Sequence, residues 1–190
     1  MRTPAHAIDP LFLLRWSPRA MSGAPVPAAE TNRLFEAARW APSSGNSQPW
    51  RFVVSHKEQP SFPAFFDLLV EGNRAWCQQA AALIVVCAAS TRVGADGSVR
   101  PMACHAYDTG AAAMSLMLQA TQQGLVAHAM EGFDKGRAAL LVKAPAGVVV
   151  LCMIAVGLPG APATLSDGLR AIESPNQRDA IEQHVFDGCF

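Results

Sequence analysis

Two continuous apolar runs, Ala82–Ala89 and Val148–Gly157, constrain the fold of this chain most strongly. Both have the length of a strand, and neither alternates apolar with polar residues as a strand with one wet face does. Such runs are typical of strands that are covered on both faces, so we predict that these two are central strands of a sheet. Both are far shorter than the about 20 apolar residues of a membrane span, and no membrane association is expected.

The other elements are predicted from apolar spacing and from helix end signals. Asp9 and Asp134 are expected to cap helices, and Gly124 is expected to end one. Thr91–Pro101 is expected to be a mobile or disordered loop, because it is polar and contains glycine. The predicted helices are Asp9–Trp16, Pro27–Trp40, Ser61–Val70, Pro101–Gln123 and Lys135–Val142, and the predicted third strand is Arg51–Ser55.

The helix Pro101–Gln123 is apolar nearly all round and carries many small residues. We therefore expect it to be buried on all sides, as at the centre of a dimer. Only 16% of the 190 residues are charged, against roughly 25% in typical soluble domains. So low a share predicts one domain over residues 1–190 whose apolar surface is covered by a partner subunit.

Charge and cysteine content indicate which classes of function and which cellular compartment suit this chain. The 15 basic and 15 acidic residues give a formal net charge of zero, and no basic run is available to bind a nucleic acid backbone. The five cysteines form no C-x-x-C pair, which is typical of a cytoplasmic protein with free thiols. The amino-terminal residues do not resemble a signal peptide. Cys104-His105 is interpreted as structural, because nothing nearby in the sequence completes a site.

The stretch Ala41–Phe52 joins a predicted helix to a predicted strand. Its first nine residues, Ala41–Pro49, which we call the polar loop, hold five side chains that both donate and accept hydrogen bonds. Pro42 and Pro49 fix φ at two points, and Gly45 permits a backbone shape that is closed to other residues. By itself the loop is compatible with an ordinary turn cluster or with a surface for a polar planar ligand. A second polar segment, Arg15–Arg19, places two arginines around Ser17, which is compatible with solvated surface arginines or with a clamp for the oxygens of a phosphate.

These segments together resemble the flavin-dependent nitroreductase family over nearly the whole chain. Arg15–Arg19 matches the family's Arg-x-Ser-x-Arg/Lys phosphate clamp. Ala41–Trp50 matches its most specific motif, Ala-Pro-Ser-x-x-Asn-x-Gln-Pro-Trp. Three more matches are Asn73 at the position of a flavin-contacting asparagine, Glu131–Asp134 at the loop that passes flavin N5, and Glu173–Arg178 at the last phosphate contact.

The resemblance implies an α+β fold, with a central mixed but mostly antiparallel sheet flanked by helices, in an interlocked homodimer. The tail, about residues 160–190, would wrap the partner subunit, and the polar loop would reach FMN bound mainly by the other subunit. NADH or NADPH would reduce FMN at N5. An electron-poor small molecule, such as a nitroaromatic or a quinone, would then reoxidise it in ping-pong fashion.

The resemblance also implies which residues bind FMN, while the chemistry resides on the flavin and no side chain is catalytic. The backbone N–H of Glu131 or Gly132 would bond N5. Trp16 stands where many members have arginine or histidine, so that contact is lost or becomes apolar. The implied cofactor-binding residues are Arg15, Trp16, Ser17, Arg19, Pro42, Ser43, Ser44, Asn46, Gln48, Asn73, Glu131, Gly132 and Arg178.

Two alternatives to a general NAD(P)H oxidoreductase stay open at this point. The chain could be a specialised flavoenzyme of the same fold, such as a biosynthetic dehydrogenase or a flavin-modifying oxygenase. It could also be a flavin-binding module without turnover. The sequence does not select the acceptor or choose between NADH and NADPH.

Overall fold

The computed structural model describes residues 2–190, which form an antiparallel sheet between two layers of helices. The strands are β1 Trp50–His56, β2 Ala82–Ala89, β3 Thr91–Val93, β4 Val99–Pro101, β5 Val126–Met130 and β6 Val148–Gly157. Four strands lie in the order β1-β2-β6-β5, and β3 and β4 form a separate hairpin. The helices are α1 Pro10–Leu14, α2 Ala28–Arg39, α3 Phe62–Phe66, α4 Glu71–Cys77, α5 His105–Gln122, α6 Lys135–Leu141 and α7 Asp167–Ala171.

The two apolar runs are the two central strands, as predicted. Side chains that alternate along β2 enter different cores, because successive residues of a strand point to opposite faces. Leu83 and Val85 pack with α3, α4 and α6 on one face. Ile84 and Val86 pack with α2 and α5 on the other. Helices therefore cover both faces of the sheet, and the α+β class is confirmed.

Local signals fix several element ends where they were expected. Asp9 caps α1 by accepting a hydrogen bond from the Leu11 N–H at 2.8 Å. Asp134 caps α6 through the Arg137 N–H at 2.9 Å. Gly124 follows α5 with φ of +71°, a conformation that glycine adopts without strain.

Three expectations differ from the structure. Thr91–Pro101 is a β-hairpin rather than a disordered loop, and α5 therefore begins at His105. Within Ser61–Val70 only Phe62–Phe66 is helical, because Leu69 leaves the helix to pair with Phe133. The described strand pairs are all antiparallel, whereas a mixed but mostly antiparallel sheet was expected.

Within one subunit α5 is buried on one side, and the expected burial of its other side by a partner subunit stays a prediction. Ala112, Leu116 and Ala120 are fully covered, while Tyr107 is 82% exposed. Beyond Gly157 the chain contains only short helical turns, and the last residues leave Val185, Phe186 and Phe190 exposed. Among residues 2–190 no helix is long and apolar enough to cross a membrane.

Candidate functional site

A cavity of about 370 Å³, which we call the arginine cavity, lies where the amino-terminal segment meets the tail. The backbone turns extended at Arg15, which ends α1, and the following segment runs along β5. No acidic side chain is among the described residues that line the cavity. These residues are Arg2, Arg15, Trp16, Ser17, Arg19, His128, Ile172, Ser174, Asn176 and Arg178.

Three of these arginines face each other without a carboxylate partner. Arg2, Arg15 and Arg178 take part in none of the ion pairs within residues 2–190. Burial, followed by the charges of Arg2 and Arg178, lowers the pKa of Arg15. The Arg15 Nε atom is buried and has no hydrogen-bond partner in the described chain. A buried donor of this kind requires an acceptor, and the surrounding charge favours an anionic one.

Arg19 differs from the other three because Glu173 neutralises it. The Glu173 carboxylate is 1% exposed and lies 3.7 Å from Arg19 Nη1. Its Oε1 atom also accepts hydrogen bonds from the backbone N–H groups of Arg19 at 2.6 Å and of Ala20 at 2.8 Å. Glu173 thus ties the tail to the segment that carries Arg15 and Arg19.

His128 forms the wall of the cavity on β5. Its Nδ1 atom lies 3.1 Å from the carbonyl oxygen of Pro18, which can only accept, so Nδ1 carries the proton. Its ring packs against Trp76 with 4.6 Å between the ring centroids. Burial lowers the pKa of His128, outweighing the hydrogen bond to Pro18, and Arg19 lowers it further. The imidazole is therefore neutral at pH 7 and adds no further positive charge.

A second group of polar atoms follows the end of β5. Asn73 Nδ2 donates to the carbonyl oxygen of Gly132 at 2.9 Å, and the Val70 N–H donates to the same oxygen at 3.1 Å. A Cβ at residue 132 would lie 2.7 Å from Asn73 Nδ2, so only glycine permits this approach. The turn and loop hydrogen bonds of residues 2–190 include none donated by the amides of Glu131 and Gly132. These two amides are candidate donors to a ligand.

The polar loop is held in an unusual backbone conformation. Gly45, Asn46 and Gln48 have φ of +57°, +52° and +47°, although two of them carry a Cβ. Ser43 Oγ accepts from the Gln48 N–H at 3.0 Å, and Gln48 Nε2 donates to Asn46 Oδ1 at 3.1 Å. Local strain of this kind persists only where the surroundings enforce it, and it clusters at ligand sites.

Asp108 on α5 supplies part of that support. It is 4% exposed, and its Oδ2 atom accepts from the Ser44 N–H at 3.0 Å. The two residues line a cavity of about 180 Å³ together with Arg92 of the hairpin, Cys104 and His105. His105 Nδ1 lies 2.7 Å from the Met102 carbonyl oxygen, which is a local structural bond. No group of three or more potential metal ligands occurs among residues 2–190.

The polar loop and the arginine cavity lie at opposite edges of the sheet. Across the sheet, His128 of β5 lies opposite Ala155 of β6, which lies opposite Leu83 of β2. Leu83 in turn lies opposite Ser55 of β1. The path from the arginine cavity to the polar loop crosses three strand spacings of about 4.8 Å and then follows β1 over five residues, from Ser55 back to Trp50. The polar loop and the arginine cavity are therefore roughly 20 Å apart. One subunit therefore does not bring the two halves of the predicted site together.

Comparisons with known proteins agree with this architecture. The family model described as the Nitroreductase family matches residues 14–158. The chain belongs to the nitroreductase family. An oxidoreductase containing FMN has a crystal structure that superposes with a TM-score of 0.98 at 39% identity, covering 100% of this chain and 96% of that one.

Two further proteins are similar to this chain in sequence. An uncharacterized 15.4 kDa protein of Mycolicibacterium smegmatis is 37% identical over 73% of this chain and 95% of its own length. Protein DrgA of Synechocystis sp. is 32% identical over 68% of this chain and 73% of its own length. The family resemblance inferred from the motifs is thus confirmed.

The nitroreductase motifs fall into three places in the structure. Arg15, Trp16, Ser17, Arg19 and Arg178 share the arginine cavity. Asn73 and Gly132 are bonded to each other, with Glu131 exposed beside them. The polar-loop residues Pro42, Ser43, Ser44, Asn46 and Gln48 form the third group, at the far edge of the sheet.

Sequence reasoning missed four residues of these groups. Arg2 precedes the recognised motif and gave no signal. His128 and Asp108 are single polar residues inside apolar segments, which is a signal for a buried hydrogen bond but not for its partner. Glu173 belongs to the recognised tail motif, but its role depends on contact with residues about 150 positions earlier.

Proposed function

We propose that this protein is an FMN-dependent oxidoreductase that takes electrons from NADH or NADPH and passes them to nitroaromatic, quinone or other electron-poor small molecules. The observation that carries the proposal is the arginine cavity, where three arginines have no carboxylate partner among residues 2–190 and the buried Arg15 Nε has no acceptor there. The oxidoreductase that superposes at 39% identity contains FMN, which supports the same cofactor here.

The side chains and backbone groups of the site suit both the phosphate end and the ring end of FMN. Arg15, Arg19 and Arg178 would hold the phosphate, with Ser17 as a further donor and Trp16 as an apolar wall. His128 lies on β5 four residues before Gly132, a span of about 13 Å for an extended strand. Asn73 and the backbone amides of Glu131 and Gly132 would then contact the ring edge.

Bound FMN supplies reversible two-electron chemistry, with hydride accepted or donated at N5. The chain itself contributes donors, positive charge and shape. Burial raises the pKa of Cys152 to about 11 and also raises the pKa of Cys77 and Cys87, so these thiols stay protonated and do not serve as nucleophiles.

We further propose that the working unit is a homodimer in the cytoplasm. Pro42, Ser43, Ser44, Asn46 and Gln48 of one subunit would complete the FMN site of the other, because they lie too far from the arginine cavity of their own chain. The exposed side of α5 and the exposed tail, residues 160–190, would be covered by the partner. Burial of this surface accounts for the low share of charged residues.

The test is spectroscopic. The protein as purified, or after incubation with FMN and desalting, is expected to show the absorption bands of oxidised flavin. Under anaerobic conditions NADH or NADPH should bleach the long-wavelength band, and a quinone or nitrofurazone should restore it. A colourless protein that takes up no FMN would refute the proposal.

Steady-state kinetics separate the alternatives within the fold. Parallel lines in double-reciprocal plots with a quinone and with nitrofurazone are the expected ping-pong result. Slow turnover of every generic acceptor, despite fast bleaching by a nucleotide, would indicate a specialised flavoenzyme. Bound FMN that neither nucleotide bleaches would indicate a binding module without turnover.

A further inference from the structure

Arg2 lies outside the recognised phosphate motif, yet its guanidinium is built into the wall of the arginine cavity. Its Nε donates to the carbonyl oxygen of Asn176 at 2.8 Å. Its Nη1 donates to the carbonyl oxygens of Leu13 at 3.1 Å and of Arg15 at 2.5 Å. Neutral backbone carbonyls from both sides of the cavity therefore fix its position.

This arrangement leaves the charge of Arg2 uncompensated. Carbonyl oxygens satisfy the N–H groups but do not neutralise the cation, and none of the ion pairs in residues 2–190 includes Arg2. Burial, and then the charge of Arg178, lowers the pKa of Arg2, and the charge of Arg2 in turn lowers that of Arg15. The three cations repel one another in the absence of an anion.

Glu173, the carboxylate that pairs with Arg19, does not relieve that repulsion. Glu173 is buried beside Arg19, and its Oε1 atom is occupied by two backbone N–H groups. His128 is neutral and its Nδ1 proton is used by Pro18. A dianionic phosphate would offset the repulsion, since it brings two negative charges and several acceptor oxygens.

We propose that Arg2 is a specificity-determining residue of the FMN site, acting as an additional phosphate cation that makes the protein select FMN over riboflavin. The inference rests on the proposed function, because it takes the cavity to hold the FMN phosphate. Riboflavin has the same ring and ribityl chain but no phosphate, so it isolates the contribution of the charge.

The experiment measures dissociation constants of FMN and riboflavin for the apoprotein by quenching of flavin fluorescence. Arg2→Ala is expected to raise the FMN constant about tenfold or more, the range of one charge-assisted contact, and to change the riboflavin constant less than about twofold. Arg2→Lys should keep most of the selectivity, since it keeps the charge. Arg33→Ala is the matched control, because Arg33 is 64% exposed on α2 and pairs with Glu30.

Salt provides a second readout. The FMN affinity of the unaltered protein should fall more steeply with added salt than that of Arg2→Ala, while riboflavin affinity should be nearly independent of salt. An unchanged FMN constant in Arg2→Ala would overturn the inference. Equal weakening of both flavins would also overturn it, because Arg2 would then only tie the two chain segments together. Failure of the unaltered protein to bind FMN would instead refute the proposed function.

Discussion

Glu173 is expected to contribute more to stability than any exposed carboxylate of the chain. Its side chain is 1% exposed, and its Oε1 atom accepts from the backbone N–H groups of Arg19 and Ala20. Replacing it with alanine removes both acceptors at once. It also leaves two N–H groups and the Arg19 guanidinium without their partner.

The magnitude follows from these contacts. A hydrogen bond to a charged group contributes about 1.5–3 kcal/mol, so two give about 3–6 kcal/mol. The arginine cavity lies alongside and can admit water to the freed N–H groups, which favours the lower end. The ion pair adds little, because Arg19 is 25% exposed and its Nη1 lies 3.7 Å from the carboxylate. We expect Glu173→Ala to lower the free energy of unfolding by about 3–4 kcal/mol.

Glu173→Gln keeps the shape of the side chain but removes its charge, so it measures the two contributions separately. The amide oxygen can still accept both N–H bonds, so the loss should be about 1–2 kcal/mol, the difference between charged and neutral acceptors. Urea unfolding at fixed protomer concentration, followed by circular dichroism, measures both values. Glu36→Ala is the control, because Glu36 makes comparable side-chain bonds to Arg39 and Trp40 but is exposed. If Glu173→Ala destabilised the protein no more than Glu36→Ala, the argument from burial would be wrong.

Three further predictions concern the other groups of the site. Gly132→Ala should weaken FMN binding in a flavin titration, because its Cβ would lie 2.7 Å from Asn73 Nδ2 and such overpacking costs about 1–3 kcal/mol. Asp108→Asn should weaken FMN binding by about 1 kcal/mol, since a neutral oxygen would hold the Ser44 N–H less strongly. The pKa of His128 is lowered in the folded state, so its contribution to stability is complete above about pH 6.5 and is lost as the pH falls through the lowered value. Urea unfolding between neutral pH and pH 5 should reveal this slope.

Each of these predictions has a matched control. Gly136→Ala on α6 introduces a Cβ that meets only Asp134 Oδ1 at 3.4 Å, and should leave FMN binding unchanged. Asp187→Asn alters an exposed tail carboxylate and should likewise have no effect. His128→Gln should flatten the acid slope, whereas His6→Gln, at an exposed position, should not. A slope that persists in His128→Gln would show that another group is responsible.

Predictions made from the sequence agree best with the structure where they depend on residues that are close together in the chain. The runs Ala82–Ala89 and Val148–Gly157 became central strands with those bounds, because continuous apolar character leaves no face for water. Caps at Asp9 and Asp134 were readable because a capping side chain bonds to the backbone only two or three residues away. Thr91–Pro101 was misjudged, since short polar strands of a hairpin carry no apolar pattern.

The sequence by itself therefore determined the layered α+β core and the family, through apolar periodicity and contiguous motifs. The tertiary structure alone decided which charged groups meet. Arg2 and Arg178 share a cavity although they are 176 positions apart. Glu173 neutralises Arg19, whereas Arg15 has no carboxylate partner in the described part of the chain. It also separated the polar loop from the arginine cavity across the sheet. Electrostatic partnership depends on distance in space, which the order of residues does not encode beyond a few positions.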